Sequence, residues 1–267
     1  QRYLYFPQGQ SFETEDNRAV DEVLARFHKR PWLHIVHRLE SRRSYILICL
    51  AAMIALAWAA GRYGVPAVAR IAAHHLPPSV VENVGGQTLA MLDRSIFRPS
   101  RLEPMEQDRL AAHFQALVQA HAGLTLRVEF RRGGRLGANA FALPNGTVIF
   151  TDEMVRLARN DDELLAVLAH EAGHVTHRHG IQRIIQDSLL AFAIRAVTGD
   201  VSGTSELFLG LPVVLTELAY SREFEREADR YALRCLRSQA VSPRHFANLM
   251  RRIQEQKPPA GRDLPGR

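Results

Sequence analysis

Residues 170 to 174 read His-Glu-Ala-Gly-His. At 3.6 residues per helical turn, positions i and i+4 lie one above the other, so the His170 and His174 imidazoles can reach a single metal ion. Glu171 is offset by one position. There its carboxylate can sit beside a zinc-bound water without being a ligand and take the proton as the hydroxide attacks a carbonyl. This is the H-E-x-x-H arrangement of zinc peptidases. The plainer alternative is that the four histidines of "AHEAGHVTHRHG" are solvated helix-face residues. Two features favour the metal. The motif lies in a helical pattern with the apolar stripe Leu164, Leu165, Val167 and Leu168, and Gly173 lets another backbone or a substrate come close.

A catalytic zinc needs a third protein ligand and an open fourth position. The longer histidine motif would place that ligand at position 180, which is Gly180. Better candidates lie in "AYSREFEREADRYAL", where Glu225 and Asp229 are four apart on a predicted helix and share a face. One carboxylate can bind zinc and the other can orient a ligand histidine. A solvated charged helix is the competing reading, because Arg222, Glu223, Arg226, Glu227 and Arg230 lie nearby. The need for a third ligand favours Glu225. His177 is expected to be an orienting neighbour or a surface residue, and His179 to cap or pack the helix end.

"LLAVLAHEAGHVTHRHG" followed by "SREFEREAD" resembles the membrane-associated zinc metallopeptidase family that includes HtpX, BepA and the CAAX prenyl protease. "NAFALPNGTVIFTDEMV" resembles the strand pair of the same family, and the likeness runs from about Leu110 to Ala247. It implies a zincin-like α+β metallopeptidase domain, mostly α with a small β-sheet. It also implies one Zn2+ per chain held by His170, His174 and Glu225, with Glu171 as general base and Asp229 orienting a ligand. The strand Asn139, Ala140, Phe141, Ala142 and Leu143 would be the active-site edge to which an extended peptide adds. Many relatives carry a further His-Pro motif beyond the third ligand. Here His245 precedes Phe246, which leaves Tyr220, Arg222 and His245 as alternatives for stabilising the transition state.

Elements that must position these residues follow from the pattern around them. Turns at Pro7-Gln8-Gly9 and Pro144-Asn145-Gly146 predict two hairpins. A short helix starts near Asp16 or Asn17. Another carries Leu110, Phe114, Leu117 and Val118 on one face and stops at Gly123. "LTLRVEFRRGG" alternates as a strand. One long helix runs from an N-cap at Asn160 or Asp161 through "GIQRII". Helices follow over about 221–237 and 243–256. The apolar stretches 188–197 and 207–220 are too short to span a bilayer and either pack on the domain or lie against a membrane.

Residues 45–60 carry no charge. Extended to 44–66, with Arg62 able to snorkel and Trp58 and Tyr63 suited to an interface, this run predicts a transmembrane helix. A signal peptide and a buried core helix are the competitors. Lys29, Arg30, Arg38, Arg42 and Arg43 precede the span and only Arg62 and Arg70 follow it closely, which places the N-terminus in the cytoplasm. The expected division is a cytoplasmic segment 1–43, a span 44–66, a juxtamembrane connector 67–100, a zinc metallopeptidase domain 101–257 and a linker-like tail 258–267. The start at Gln1 and the ending "KPPAGRDLPGR" lead us to expect that both ends continue in a longer protein.

The net charge of +6 suits nucleic acid or an anionic membrane surface. No nucleic-acid motif and no Lys/Arg run with interleaved aromatics is present, which argues against nucleic acid. Cys49 and Cys235 have neither zinc-finger spacing nor a disulfide framework. The expected function is a zinc endopeptidase with polypeptide substrates and membrane lipid as partners, its catalytic domain on the periplasmic side of a bacterial inner membrane. Two alternatives compete with it: a proteolytically silent zinc protein acting as a chaperone or assembly factor, and a membrane anchor with incidental histidines.

Overall fold

The computed structural model describes residues 2–5, 10–27, 43–120, 126–198 and 220–256. The chain divides into two units, Gln1–Ala60 and Gly61–Arg267.

In the first unit, β1 (Arg2–Tyr5) pairs antiparallel with β2 (Ser11–Thr14), as the first hairpin pattern predicts, Arg2 facing Thr14 and Tyr5 facing Ser11. The Asp16 carboxylate accepts the backbone N–H groups of Arg18 and Ala19, both at 3.1 Å, and so starts α1 (Asn17–Phe27). The next helix, α2 (Arg43–Ala59), is apolar all round and exposes Ile46, Leu47, Ile48, Met53, Ile54, Leu56 and Trp58. Among the described residues, Tyr45–His75 is the one helical run long and apolar enough to cross a membrane. With no polar face, α2 has nothing to offer water. The run extends past residue 66 through a π-helical turn, Ala60–Gly64.

The second unit holds α3 (Val65–His75), α4 (Pro78–Ser95), β3 (Arg98–Pro99), α5 (Pro104–Ala120), β4 (Arg127–Arg132), β5 (Ala140–Ala142) and β6 (Thr147–Thr151). It continues with α6 (Asp152–Leu157), α7 (Asp161–Thr176), α8 (His179–Thr198), α9 (Arg222–Ser238) and α10 (Arg244–Gln256). The fold among the described residues is therefore mostly α with a small mixed sheet of order β3-β4-β6-β5. β4 and β6 run parallel, and β5 returns antiparallel to β6 with Phe141 opposite Ile149. The Pro144-Asn145-Gly146 turn joins β5 to β6, with Gly146 at φ +86°, where a side chain would be strained.

The α7 stripe Leu164, Leu165, Val167 and Leu168 is buried, together with Leu110, Phe114 and Leu117 of α5, Phe130 and Phe150 of the sheet, and Leu236 and Leu249 of α9 and α10. This is the core that the helical patterns imply. Gly123 and most of the apolar stretch 207–220 lie outside the described residues. No disulfide joins Cys49 to Cys235.

Two expectations are revised. The segment 67–100, expected as a connector of helical pieces broken at Pro77-Pro78 and Gly85-Gly86, breaks at the prolines but runs through the glycines as the single helix α4. Ala69 and Ala73, four apart on α3, are fully buried where α3 packs against α8. Leu92 and Phe97 form a second cluster with Leu143 and Ile149. The long helix expected from residue 160 onward is also two helices. It stops at Thr176, Arg178 adopts a left-handed φ of +54°, and α8 starts afresh at His179. The Arg178 guanidinium reaches across to the Ala73 carbonyl at 2.7 Å, which holds the break in place.

Candidate metal centre

Helix α7 positions the first two site residues. Its N-cap is Asn160, whose side chain accepts the Glu163 N–H at 3.0 Å, while Glu163 reaches back to the Arg159 N–H at 2.8 Å. Two turns on, His170 and His174 share one buried face. Helix α9, capped by Ser221, crosses α7 at Gly173. A Cβ built on Gly173 would meet Ala228 Cα at 2.8 Å and its carbonyl oxygen at 3.0 Å. Glycine at 173 is thus what lets the α9 backbone approach, and the approach carries Glu225 to the histidines.

The result is convergent. His170 Nε2 lies 3.1 Å from His174 Nε2 and 3.4 Å from Glu225 Oε2, and His174 Nε2 lies 3.8 Å from Glu225 Oε1. Bonds of 2.0–2.1 Å at tetrahedral angles put zinc ligands about 3.3 Å apart, so this donor set fits zinc with one position left open. The site's electrostatics also call for a cation. Burial opposes charge on His170, but Asp229, Glu225 and Glu171 outweigh it and hold the ring's pKa up at about 10. Burial and the charges of His170, His179 and His177 push His174 far down.

Glu171 follows His170, and its carboxylate accepts a hydrogen bond from the Ala142 N–H at the edge of the sheet. Burial, with the nearby Glu225 carboxylate, raises its pKa to about 7, against the lowering effects of His170 and a backbone hydrogen bond from Ala142. A carboxylate poised near neutrality can both take and return a proton. Strand β5 is the edge of the sheet and packs against α7. Leu143 N–H bonds to the Thr147 carbonyl, and Asn139 O accepts from Thr151 N–H. Antiparallel alternation then turns the carbonyls of Ala140 and Ala142 to the open edge, while Phe141 packs edge-on against Phe97 at 5.8 Å.

The remaining residues separate clearly. Asp229 Oδ1 is 3.1 Å from His170 Nδ1, but the contact is not aligned as a hydrogen bond and the Asp229 side chain is 55% exposed. Tyr220 stacks on His174 at 4.2 Å, and burial with the Glu171 and Glu225 charges raises its pKa, which keeps the phenol protonated. Phe246 stacks on His170 at 5.0 Å. Arg222 is exposed in the first turn of α9, and His245 faces Asp162 at 3.9 Å, near the opposite end of α7. His177 is partly buried, between His179 and Tyr231. His179 is fully buried, and its contacts make it part of the site.

The sequence pattern of peptidase family M48 matches residues 104–262, more than half of the chain. The chain belongs to peptidase family M48. The M48 match contains His170, Glu171, His174, Glu225 and Asp229, and M48 metallopeptidases are zinc-dependent. Among its relatives are the beta-barrel assembly-enhancing protease of Escherichia coli K12, 28% identical over 44% of this chain and 26% of that protein. The mitochondrial metalloendopeptidase OMA1 of Schizosaccharomyces pombe is 30% identical over 47% of this chain and 37% of its own length. Metalloprotease LoiP of Escherichia coli K12 is 31% identical over 43% of this chain and 47% of its own. The matched part of the chain thus spans between 26% and 47% of the length of these relatives.

Sequence reasoning did not anticipate that His179 and Glu227 lie in series behind His174. Glu227 reads as one charge among many on a solvated helix.

Proposed function

We propose that this chain is a zinc endopeptidase that hydrolyses peptide bonds of membrane or envelope proteins. The observation that carries this is the convergence of His170, His174 and Glu225 on one point, with Glu171 between them and the open edge of β5. In this reading the two histidines and Glu225 hold the ion, and Asp229 faces the far nitrogen of His170. Zinc bound there supplies Lewis acidity and makes water acidic enough to attack at neutral pH. Glu171 takes the proton of the attacking water and delivers it to the departing amine nitrogen. An extended substrate adds to Asn139–Leu143 as a further antiparallel strand, its backbone paired with the outward carbonyls. The apolar helix anchors the chain in a single span, with residues 1–43 cytoplasmic and the catalytic domain 101–257 extracytoplasmic, as the flanking arginines and lysine favour. The names of the relatives, a protease and a metalloendopeptidase, support polypeptide substrates.

The test is Glu171→Gln in the full chain, with zinc content and cleavage of an unfolded substrate such as casein measured together. Zinc should be retained and cleavage should fall about 10²–10⁴-fold. Cleavage at the wild-type rate would remove Glu171 as the base, and a wild-type chain without bound zinc would end the metal reading.

A further inference from the structure

The His174 ring is held from behind by a series of polar groups that starts at the buried His179 and runs outward to the surface. His174 Nδ1 lies 3.0 Å from His179 Nδ1. The other nitrogen of His179, Nε2, lies 2.9 Å from Glu227 Oε2. Glu227 Oε1 in turn is 3.5 Å from the Arg70 guanidinium, which also faces Glu223 at 3.4 Å. His179 itself is wholly buried, its ring stacked on Phe224 at 4.2 Å, with His177 at 5.4 Å.

The hydrogen-bond directions are fixed by what each atom can do. If His174 offers the Nε2 lone pair to a metal, its proton is on Nδ1 and that N–H donates. His179 Nδ1 must then accept, so the His179 proton is on Nε2, where it donates to a carboxylate. Each group in the series finds the one partner it needs. A metal-bound histidine is ordinarily oriented by one carboxylate or carbonyl. Here the carboxylate acts through a second imidazole.

We infer that His179 and Glu227 are positioning residues for the metal centre: they lock His174 in the tautomer and rotamer that direct Nε2 at the ion. The inference rests on the metal reading above, but not on peptidase activity. The helix break explains how the arrangement is built. Positive φ at Arg178 turns the chain so that His179, five residues after His174, comes back behind its ring. On an unbroken helix, positions five apart point in directions about 140° different.

The experiment is zinc affinity of the full chain, measured without substrate by competition with a chromogenic chelator. His179→Ala should lower affinity about 10- to 100-fold, and Glu227→Ala about 10-fold. His179→Asn places an acceptor oxygen near the Nδ1 position and should recover part of the loss. The thermal melt of metal-free Glu227→Ala, whose side chain is partly exposed, should change little, which separates positioning from a general structural role. If metal-free His179→Ala does not melt cooperatively, Glu227→Ala decides, since its side chain lies at the outer end of the series. Zinc affinity within about twofold of wild type in the folded variants would overturn the inference. A chain that binds zinc but cleaves nothing fails the peptidase reading and still passes this test.

Discussion

Helix α7 buries polar side chains at both ends, and the two ends treat them differently. At the N-terminal end, Glu163 is 2% exposed. It accepts from the Arg159 backbone and from the Arg252 guanidinium of α10, while Asn160 caps the helix and Asp161 pairs with Arg109. The Arg252 and Arg109 pairs tie three helices together. At the C-terminal end, three metal-ligating side chains converge instead: the Nε2 atoms of His170 and His174 face each other beside the Glu225 carboxylate. Buried polarity that is satisfied within the protein is architecture. Buried metal-ligating side chains that converge on one point mark a place for a ligand.

This contrast can be broken most severely at the N-terminal end. Glu163→Ala leaves the Arg252 charge buried without its partner and should cost about 3 kcal/mol of stability, read by denaturant unfolding, while zinc affinity of the folded fraction stays at the wild-type value. A matching loss of zinc would mean that the two ends are not separate. Gly173→Ala comes next. The added methyl meets the α9 backbone, so we expect about 1–3 kcal/mol of destabilisation together with weaker zinc binding, because Glu225 moves with α9. Unchanged stability and affinity would show that the helices can part freely.

The smallest effect tests a difference within the C-terminal end. The two histidines are backed unequally: His174 by a buried ring, His170 by an exposed carboxylate whose contact is poorly aligned. Asp229→Asn should therefore weaken zinc binding by no more than about 10-fold, less than His179→Ala. If Asp229→Asn proves the more damaging, the exposed carboxylate is the better-ordered partner and the asymmetry is reversed.

The parts of this site that were legible in the sequence are those fixed by local periodicity. His170, Glu171 and His174 needed only a helix, and Glu225 with Asp229 needed only a second helix and the ligand count of zinc. The hairpin turn at Pro144-Asn145-Gly146 and the Asn160 cap were legible for the same reason. What was missed depends on the chain leaving its periodic path. Arg178 has no conformational signature of its own, yet its positive φ decides whether His179 faces solvent or His174. Glu227 falls two residues from Glu225, on another face of α9, and only the fold shows that this face meets His179. Likewise the alanines of α3 carry no chemistry, and their burial against α8 is a tertiary event.

The edge strand has one further consequence, for how this protein behaves in solution. An unpaired sheet edge invites the edge of another molecule, and long apolar edges nucleate aggregates. β5 is only three residues long, and one of its outward N–H groups already bonds to Glu171. Two copies meeting edge to edge would gain few hydrogen bonds and would have to displace that carboxylate. An edge this short resists accidental pairing.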